Sequence, residues 1–531
     1  MTSFSNHIDI KKSPKSQRRN LFNLHSWVGF NLTFIMTLVL VTGTFSTVSN
    51  EIDWLIQSDM RVKPAVKTVS WQVMTDAIHN YAPESALISI EEMKADYIAY
   101  RATLIDNYGS QYFVHVNQWT GEVTGSTGRL TVQRVLRDLH RYLFMPSIIG
   151  LPIVASMAFI LLISLYTGLK TARNWMSLMT RIRFNKGFRV LFGDAHKAIG
   201  LWASWFILLM SVTGIWYLAE LGSEVGARIT GDKAVAFELD RPSLSTEQLR
   251  SFGVGMDTAK TEQIIQAAQI VFPELKISAI FYPTKPKQAI SVLGYRNNPI
   301  LRSRANRVFL DPVTLIPLSV QRSEDINTVA WLNEIADPLH FGFFGGLITK
   351  LIWFVFGLAL TSLSISGVYL VWKRLGVATL SRSQMTTLPI LVITGLFAVL
   401  YWYPVYKTPA KPHDEHMLSF EPEDAFLYQL YLSKNTENQF DGGLRLLVSG
   451  MNEGSDTRVK KVMPNIKEVK LTLNKDDVPL GKSKKLKLKK FSVVSLFKSG
   501  VSAELLREAS AIQLDIEFND GELVSTVWPI D

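Results

Sequence analysis

The chain has nine histidines and no cysteine. Four of the histidines, His25, His140, His196 and His340, stand at the starts of four long apolar runs. Imidazole is a common metal ligand, and two imidazoles from facing helices can bind a haem iron axially. The absence of cysteine excludes iron–sulfur ligation, thiolate haem, Cys-rich zinc sites and covalent c-type attachment. Disulfides are excluded as well. Any haem in this chain is held without a covalent bond.

The four histidines recur in a pattern. His25 is followed by Gly29 and then Thr42-Gly43, and His196 by Gly200 and then Thr213-Gly214, at matching spacing. Leu139-His140 and Leu339-His340 form a second pair. The runs after them end Ser164-Leu165-Tyr166-Thr167-Gly168 and Ser364-Ile365-Ser366-Gly367. Residues 20–175 and 190–375 therefore look like two copies of one unit: helix, outer segment, helix. In a continuous helix Gly29 and Gly43 fall on the face of His25, leaving room beside it for a flat porphyrin. A lone histidine at a membrane interface is ordinarily a polar anchor. Four histidines, paired by repeat and by membrane face, argue for a ligand set. That set places His25 with His196 at one face and His140 with His340 at the other.

Other candidates carry less. Arg137, Arg141 and Lys350 stand near the second pair, and Arg18, Arg19 and Lys197 near the first. They suit haem propionates or ordinary interfacial anchoring. His79 and His115 are expected to be solvated, and His7 falls in a polar tail. His413 and His416 flank Asp414 and Glu415, a possible metal site but more simply a solvated linker. Gly253-Val254-Gly255 lacks the third glycine of a dinucleotide site. With no phosphate loop, nucleophile elbow or zinc-protease motif either, electrons would have to come from a quinol or a partner protein.

The elements that must position these residues are membrane helices. The chain has 531 residues, 47% of them hydrophobic, with a net charge of +10. Several apolar runs are long enough to span a bilayer. Expected spans are 27–48, 146–170, 197–218, 347–372 and 387–403. The residues before the first form a cytoplasmic tail (1–26) without a cleavage site. Lys and Arg crowd that tail, the loop 176–195 and the loop 373–382, which marks their side as cytoplasmic. The segments 50–140, 220–340 and 406–531 then lie outside. Helices are expected over 71–81 and 262–272. Strands are expected over 97–104, 111–116, 289–294 and 307–310, with turns at Trp119-Thr120-Gly121-Glu122 and at Asp311-Pro312-Val313-Thr314. The tail should be mostly β, with strands near 469–473, 486–494 and 512–518. Its lysines at 482–490 alternate with leucine as a solubilised strand edge does. Without interleaved aromatics they do not suggest nucleic acid.

As a set, His25-Ser26-Trp27-Val28-Gly29, Thr42-Gly43, Leu139-His140-Arg141, His196-Lys197-Ala198-Ile199-Gly200 and Leu339-His340-Phe341-Gly342 resemble the PepSY-associated transmembrane proteins. These are iron-regulated inner-membrane proteins of Gram-negative bacteria. The turns at Trp119 and Asp311 resemble those of PepSY units. The resemblance covers about residues 18–375. It implies an α-helical polytopic membrane protein. Its four-helix haem-binding core would comprise repeat 1 (27–175) and repeat 2 (196–375), each with a periplasmic α+β PepSY-like unit. The fifth helix and the β-rich tail (406–531) are additions. Some members are di-haem siderophore reductases. The resemblance thus implies two b-type haems, held by His25 with His196 and by His140 with His340, and reduction of ferric siderophore iron in the periplasm.

Two other functions remain open. PepSY units are thought to bind or inhibit peptidases, so the chain could be a non-enzymatic accessory or binding protein. Paired repeats also build transporters, though ionisable residues are nearly absent at mid-span. A reporter fused after Asp531 is expected to lie in the periplasm; a cytoplasmic signal would break the five-span order.

Overall fold

The computed structural model describes residues 14–83, 85–105, 111–230, 261–283, 289–296, 298–312 and 314–375, with shorter stretches between 392 and 529. The expected fifth span at 387–403 lies largely outside the described residues. So do His7, His413, His416 and most of the 482–490 lysine run. Two compact units form. One comprises Met1–Leu55, Thr131–Glu238 and Leu332–Tyr406; the other comprises Ile56–Leu130, Leu239–Trp331 and Lys407–Asp531.

The first unit is helical. Its elements are α1 (Pro14–Asn31), α2 (Thr33–Ser46), α3 (Ser49–Ile56) and, after the first outer segment, α5 (Val132–Tyr142), α6 (Ser147–Thr171), α7 (Trp175–Thr180), α8 (Phe188–Trp202), α9 (Ser204–Thr230), α11 (Thr328–Phe341) and α12 (Gly346–Leu375). Three helices, Ser147–Thr171, Ser204–Gly226 and Gly346–Arg374, are long and apolar enough to cross a bilayer. Helices α1 and α2 are apolar enough to cross only when taken together, as a pair bent by 67°, which gives up to four spans among the described residues. Helix α6 packs on α1 and α9, and α12 packs on α2 and α8. Polar pairs join α2 and α3 to α12. Thr37 and Ser364 hydroxyls lie 2.7 Å apart, those of Thr44 and Thr361 3.4 Å, and Lys350 Nζ donates to Glu51 Oε1 at 2.7 Å. In lipid such bonds help hold helices together, because apolar contact alone gives little preference for protein over acyl chains.

The second and fourth spans start within one residue of expectation, at Ser147 and Gly346, but the third does not. The histidines do not open the long helices. His25 and His196 each lie seven residues before a helix break, at Leu32 (φ −108°, ψ 10°) and Ala203 (φ −86°, ψ 2°). Both breaks sit near the sparsely allowed bridge region. The third span accordingly starts at Ser204 rather than 197. His140 and His340 lie on the separate short helices α5 and α11. Hydropathy could not show this, because Leu and Ala at a break leave the apolar run intact. The bend at Leu32 parts Gly43 from Gly29 and His25, so the three do not form one stripe along a continuous helix.

The second unit contains α4 (Trp71–Tyr81), β1 (Ala86–Glu91), β2 (Tyr100–Ile105), β3 (Gln111–Val116) and β4 (Val123–Gly128). Their counterparts are α10 (Thr261–Val271), β5 (Lys276–Phe281), β6 (Ile290–Tyr295), β7 (Asn306–Leu310) and β8 (Pro317–Gln321). The expected helices, strands and Gly121 turn are present within a few residues; β1, β4, β5 and β8 were not foreseen. The two outer units do not stand apart. They form one antiparallel sheet in the order β4-β3-β2-β1-β5-β6-β7-β8, joined where Ile90 faces Ile280. Helices α4 and α10 share its core through Met74, Ile78, Ile264 and Ala268. The Thr75 hydroxyl donates to Thr261 Oγ1 at 3.0 Å.

In the tail, β9 (Leu418–Phe420), β10 (Tyr428–Lys434), β11 (Gln439–Leu446) and β15 (Val494–Ser502) make one sheet. The strands β12 (Ile466–Lys475), β13 (Val478–Pro479), β14 (Lys484–Lys485), β16 (Ala511–Phe518) and β17 (Leu523–Pro529) make another. The strand expected at 486–494 falls outside the described residues except for Val494, which opens β15.

His115, expected to be solvated, is buried on β3 at 1% exposure, and His79 is half-buried. Nε2 of His115 lies 2.9 Å from Thr127 Oγ1. Burial, and then the nearby Arg101 cation, lower its pKa from 6.5 to about 4. The unfolded chain takes up this proton near pH 6.5 and the folded chain only near 4. The stability is therefore complete above 6.5 and is lost as pH falls, by about 3 kcal/mol in all. Thermal melting between those two pH values should show this slope, and His115→Gln should flatten it. An unchanged slope would mean that the imidazole does not report its burial.

Candidate functional site

Each of the four histidines is bound at Nδ1 by a neighbouring helix. His25 Nδ1 lies 3.0 Å from Thr167 Oγ1 and 3.1 Å from Ser164 O on α6. Thr167 spends its own hydroxyl proton on Ile163 O at 2.7 Å, so its oxygen accepts from the ring. His196 Nδ1 lies 2.9 Å from Ser366 Oγ on α12, and that hydroxyl donates to Leu363 O. His140 Nδ1 donates to Val39 O at 2.9 Å. His340 Nδ1 lies 2.7 Å from Thr213 Oγ1, whose proton goes to Leu209 O at 2.8 Å. All four rings thus carry their proton on Nδ1, which leaves the Nε2 lone pair for another partner.

The rings pair as the repeat implied. His25 and His196 have ring centroids 6.2 Å apart at an interplanar angle of 81°. His140 and His340 also have centroids 6.2 Å apart, at 43°. No hydrogen bond joins the rings of either pair among the described residues. Two imidazoles on opposite sides of one metal ion, with metal–nitrogen bonds of about 2.0–2.1 Å, would have centroids about 6.3 Å apart. Each pair takes one histidine from each repeat.

The glycines serve differently from the expectation. Gly43 lies against His140, and a Cβ there would stand 2.6 Å from its Cε1. Gly168 and Gly367 flank His25 and His196, where a Cβ would stand at an ordinary 3.5 Å. Gly29 has nothing within 4 Å, and Gly200 and Gly214 meet Leu363 and Ala158.

Around His140 and His340 opens a cavity of about 140 Å³. Met36, Leu161, Phe206 and Trp353 line its apolar wall. Arg137, Arg141, Tyr217 and Asp337 supply its polar groups, with the Tyr217 hydroxyl donating to Asp337 Oδ1 at 2.7 Å. Lys350, expected beside these arginines, is instead paired with Glu51, with both side chains largely buried. Near the first pair, the Arg18 guanidinium donates to Thr171 O, Lys197 Nζ lies 3.9 Å from Asp194 Oδ1, and Arg19 is exposed. Among the described residues no three His, Asp or Glu side chains cluster as a metal cage.

Residues 22–374 match the family model described as PepSY-associated TM region. The chain belongs to that family. Its membrane spans agree with this placement. No curated protein matches the chain. The sequence marked Thr167, Thr213 and Ser366 of this PepSY-associated chain as parts of the repeat but not as partners of the histidines. Their signal was present, since each directly precedes a glycine of the repeated motifs.

The Gly43 contact predicts an asymmetry. Gly43→Ala should cost about 1–3 kcal/mol by overpacking against His140. Gly168→Ala and Gly367→Ala should be neutral or gain up to about 1 kcal/mol in helix propensity. Melting temperatures in detergent test this; a Gly43→Ala protein as stable as the parent would remove the close contact.

Proposed function

We propose that the protein is a di-haem electron carrier of the Gram-negative inner membrane. In this reading His25 and His196 hold one b-type haem, and His140 and His340 hold the other. The observation that carries the reading is the 6.2 Å ring separation in both pairs, with every Nδ1 engaged and every Nε2 left available. Three further observations support it. Gly43, Gly168 and Gly367 let the His140, His25 and His196 rings lie close against the helix backbones. The cavity at the second pair is mainly apolar. Its arginines Arg137 and Arg141 suit carboxylates such as propionates.

A bis-imidazole haem supplies one-electron chemistry without breaking a bond. The residues of the chain do the rest. Thr167, Thr213, Ser366 and the Val39 carbonyl fix the tautomer and the angle of each imidazole. Phe206, Trp353, Leu360 and Met210 fill the space between α9 and α12 and exclude water. The pairs lie along shared helices. Ser366 on α12 meets His196, while Gly357 on α12 lines the second cavity, nine residues or about 14 Å away. Electrons would enter from a quinol or a protein donor at the His25–His196 end. They would leave at the His140–His340 end to a ferric siderophore, whose iron(III) gains one electron and departs as iron(II). The positive-inside rule sets the N-terminus in the cytoplasm and the second pair toward the periplasm.

An optical spectrum of the purified protein, oxidised and then dithionite-reduced, should show two low-spin b-type haems by pyridine haemochrome count. His140→Ala or His340→Ala should leave one haem, retained by His25 and His196. Retention of both haems in either variant would sink the pairing. A colourless protein from haem-sufficient cells would favour the other reading, a non-enzymatic binding protein built on the eight-stranded sheet.

A further inference from the structure

The segment joining α6 to α8 is tied down, yet it faces outward. Helix α7 within it buries none of its residues. Trp175, Met176, Phe184 and Phe188 are 49, 79, 71 and 73% exposed. Such exposure often marks a loose loop, but this segment is clasped to α8. Arg183 Nε and Nη2 donate to the two oxygens of Asp194 at 2.8 and 2.9 Å, and Arg183 N adds a bond at 3.3 Å. Trp202 Nε1 donates to Met179 O at 3.3 Å. The chain therefore holds four large apolar side chains against whatever surrounds it.

The charges say what that surrounding is. From 171 to 196 the chain carries Arg173, Arg181, Arg183, Lys186 and Arg189 against the single acid Asp194. Arg183 is taken by Asp194. The other four cations are exposed and make no ion pair among the described residues. A protein-binding surface gathers its apolar residues into a core with a polar rim. Here apolar residues 175, 176, 184 and 188 alternate with cations 173, 181, 186 and 189. Interleaving suits a lipid interface, where rings sit at headgroup level while long cations reach the phosphates beside them. The segment also starts where the span Ser147–Thr171 ends, at the bilayer boundary.

We propose that residues 172–189 form a membrane-surface anchor that binds anionic phospholipid headgroups through Arg173, Arg181, Lys186 and Arg189. Trp175, Met176, Phe184 and Phe188 insert beside those headgroups. Arg183 transmits the hold to α8, because Asp194 stands two residues before His196. The anchor requires only that the chain be in a membrane and is independent of haem.

The cysteine-free chain makes the test direct. Met176→Cys and Phe184→Cys are each labelled with a nitroxide in the full-length protein. The protein is reconstituted in phosphatidylcholine vesicles with or without phosphatidylglycerol. Power-saturation EPR then compares access by oxygen, which partitions into lipid, with access by a water-soluble nickel chelate. With phosphatidylglycerol present, both labels should be open to oxygen and shielded from nickel. Replacing the four cations by Gln should move both labels toward aqueous values, and native mass spectrometry should show loss of retained phosphatidylglycerol. Labels open to nickel in every vesicle would overturn the anchor and leave a water-facing loop or protein-docking surface. Shielding that ignores both phosphatidylglycerol and the four cations would overturn headgroup recognition.

Discussion

An imidazole buried among apolar helices cannot leave its ring N–H unpaired without a cost of about 1–3 kcal/mol. Four imidazoles of this protein meet that constraint, and each meets it on a neighbouring helix. His25 turns to α6, His140 to α2, His196 to α12 and His340 to α9. Every one of these bonds stays within its own repeat. The ring pairs, by contrast, each join the two repeats. Each repeat thus orients its own histidines, and association of the repeats brings them together. One bond per ring sets both the helix contact and the nitrogen left over for chemistry.

The sheet follows a parallel logic. Each half supplies four strands and one helix, which would leave β1 or β5 as an open edge, a state proteins usually avoid. Pairing β1 with β5 removes both edges. It also lets α4 and α10 bury Met74, Ile78, Ile264 and Ala268 in one core. In both units one repeat is incomplete alone.

The helix breaks give the short ligand helices their independence. Because α5 and α11 end before α6 and α12 begin, His140 and His340 approach the bundle on helices separate from the spans. Helix α5 is held at its start by Asp53, whose carboxylate oxygens accept from Val132 N and Gln133 N at 2.7 and 2.9 Å. Helix α11 is held along its length by Thr213, Trp216 and Tyr217 of α9. The proposed haem pocket thus rests on short helices clamped by polar contacts, within a bundle whose long helices meet the lipid.

Much of this protein was legible in the order of its residues. Apolar runs of bilayer length and the matched spacing after His25 and His196 identified the spans and the repeat. The repeat, together with the membrane faces set by the Lys and Arg of the loops, paired His25 with His196 and His140 with His340. Composition excluded cysteine chemistry outright. Three things awaited the tertiary structure. A break at Leu32 or Ala203 changes two dihedral angles without changing hydropathy, so the position of each histidine relative to its span was invisible. The partner of a buried side chain depends on which helix packs beside it, so Thr167, Thr213 and Ser366 looked like spacers before the glycines, Lys350 looked free, and His115 looked solvated. Strand pairing across the repeats joins β1 to β5 over a long stretch of intervening chain, and no local pattern encodes a contact at that separation. Local physics wrote the elements into the sequence; contact between distant elements decided what their side chains face.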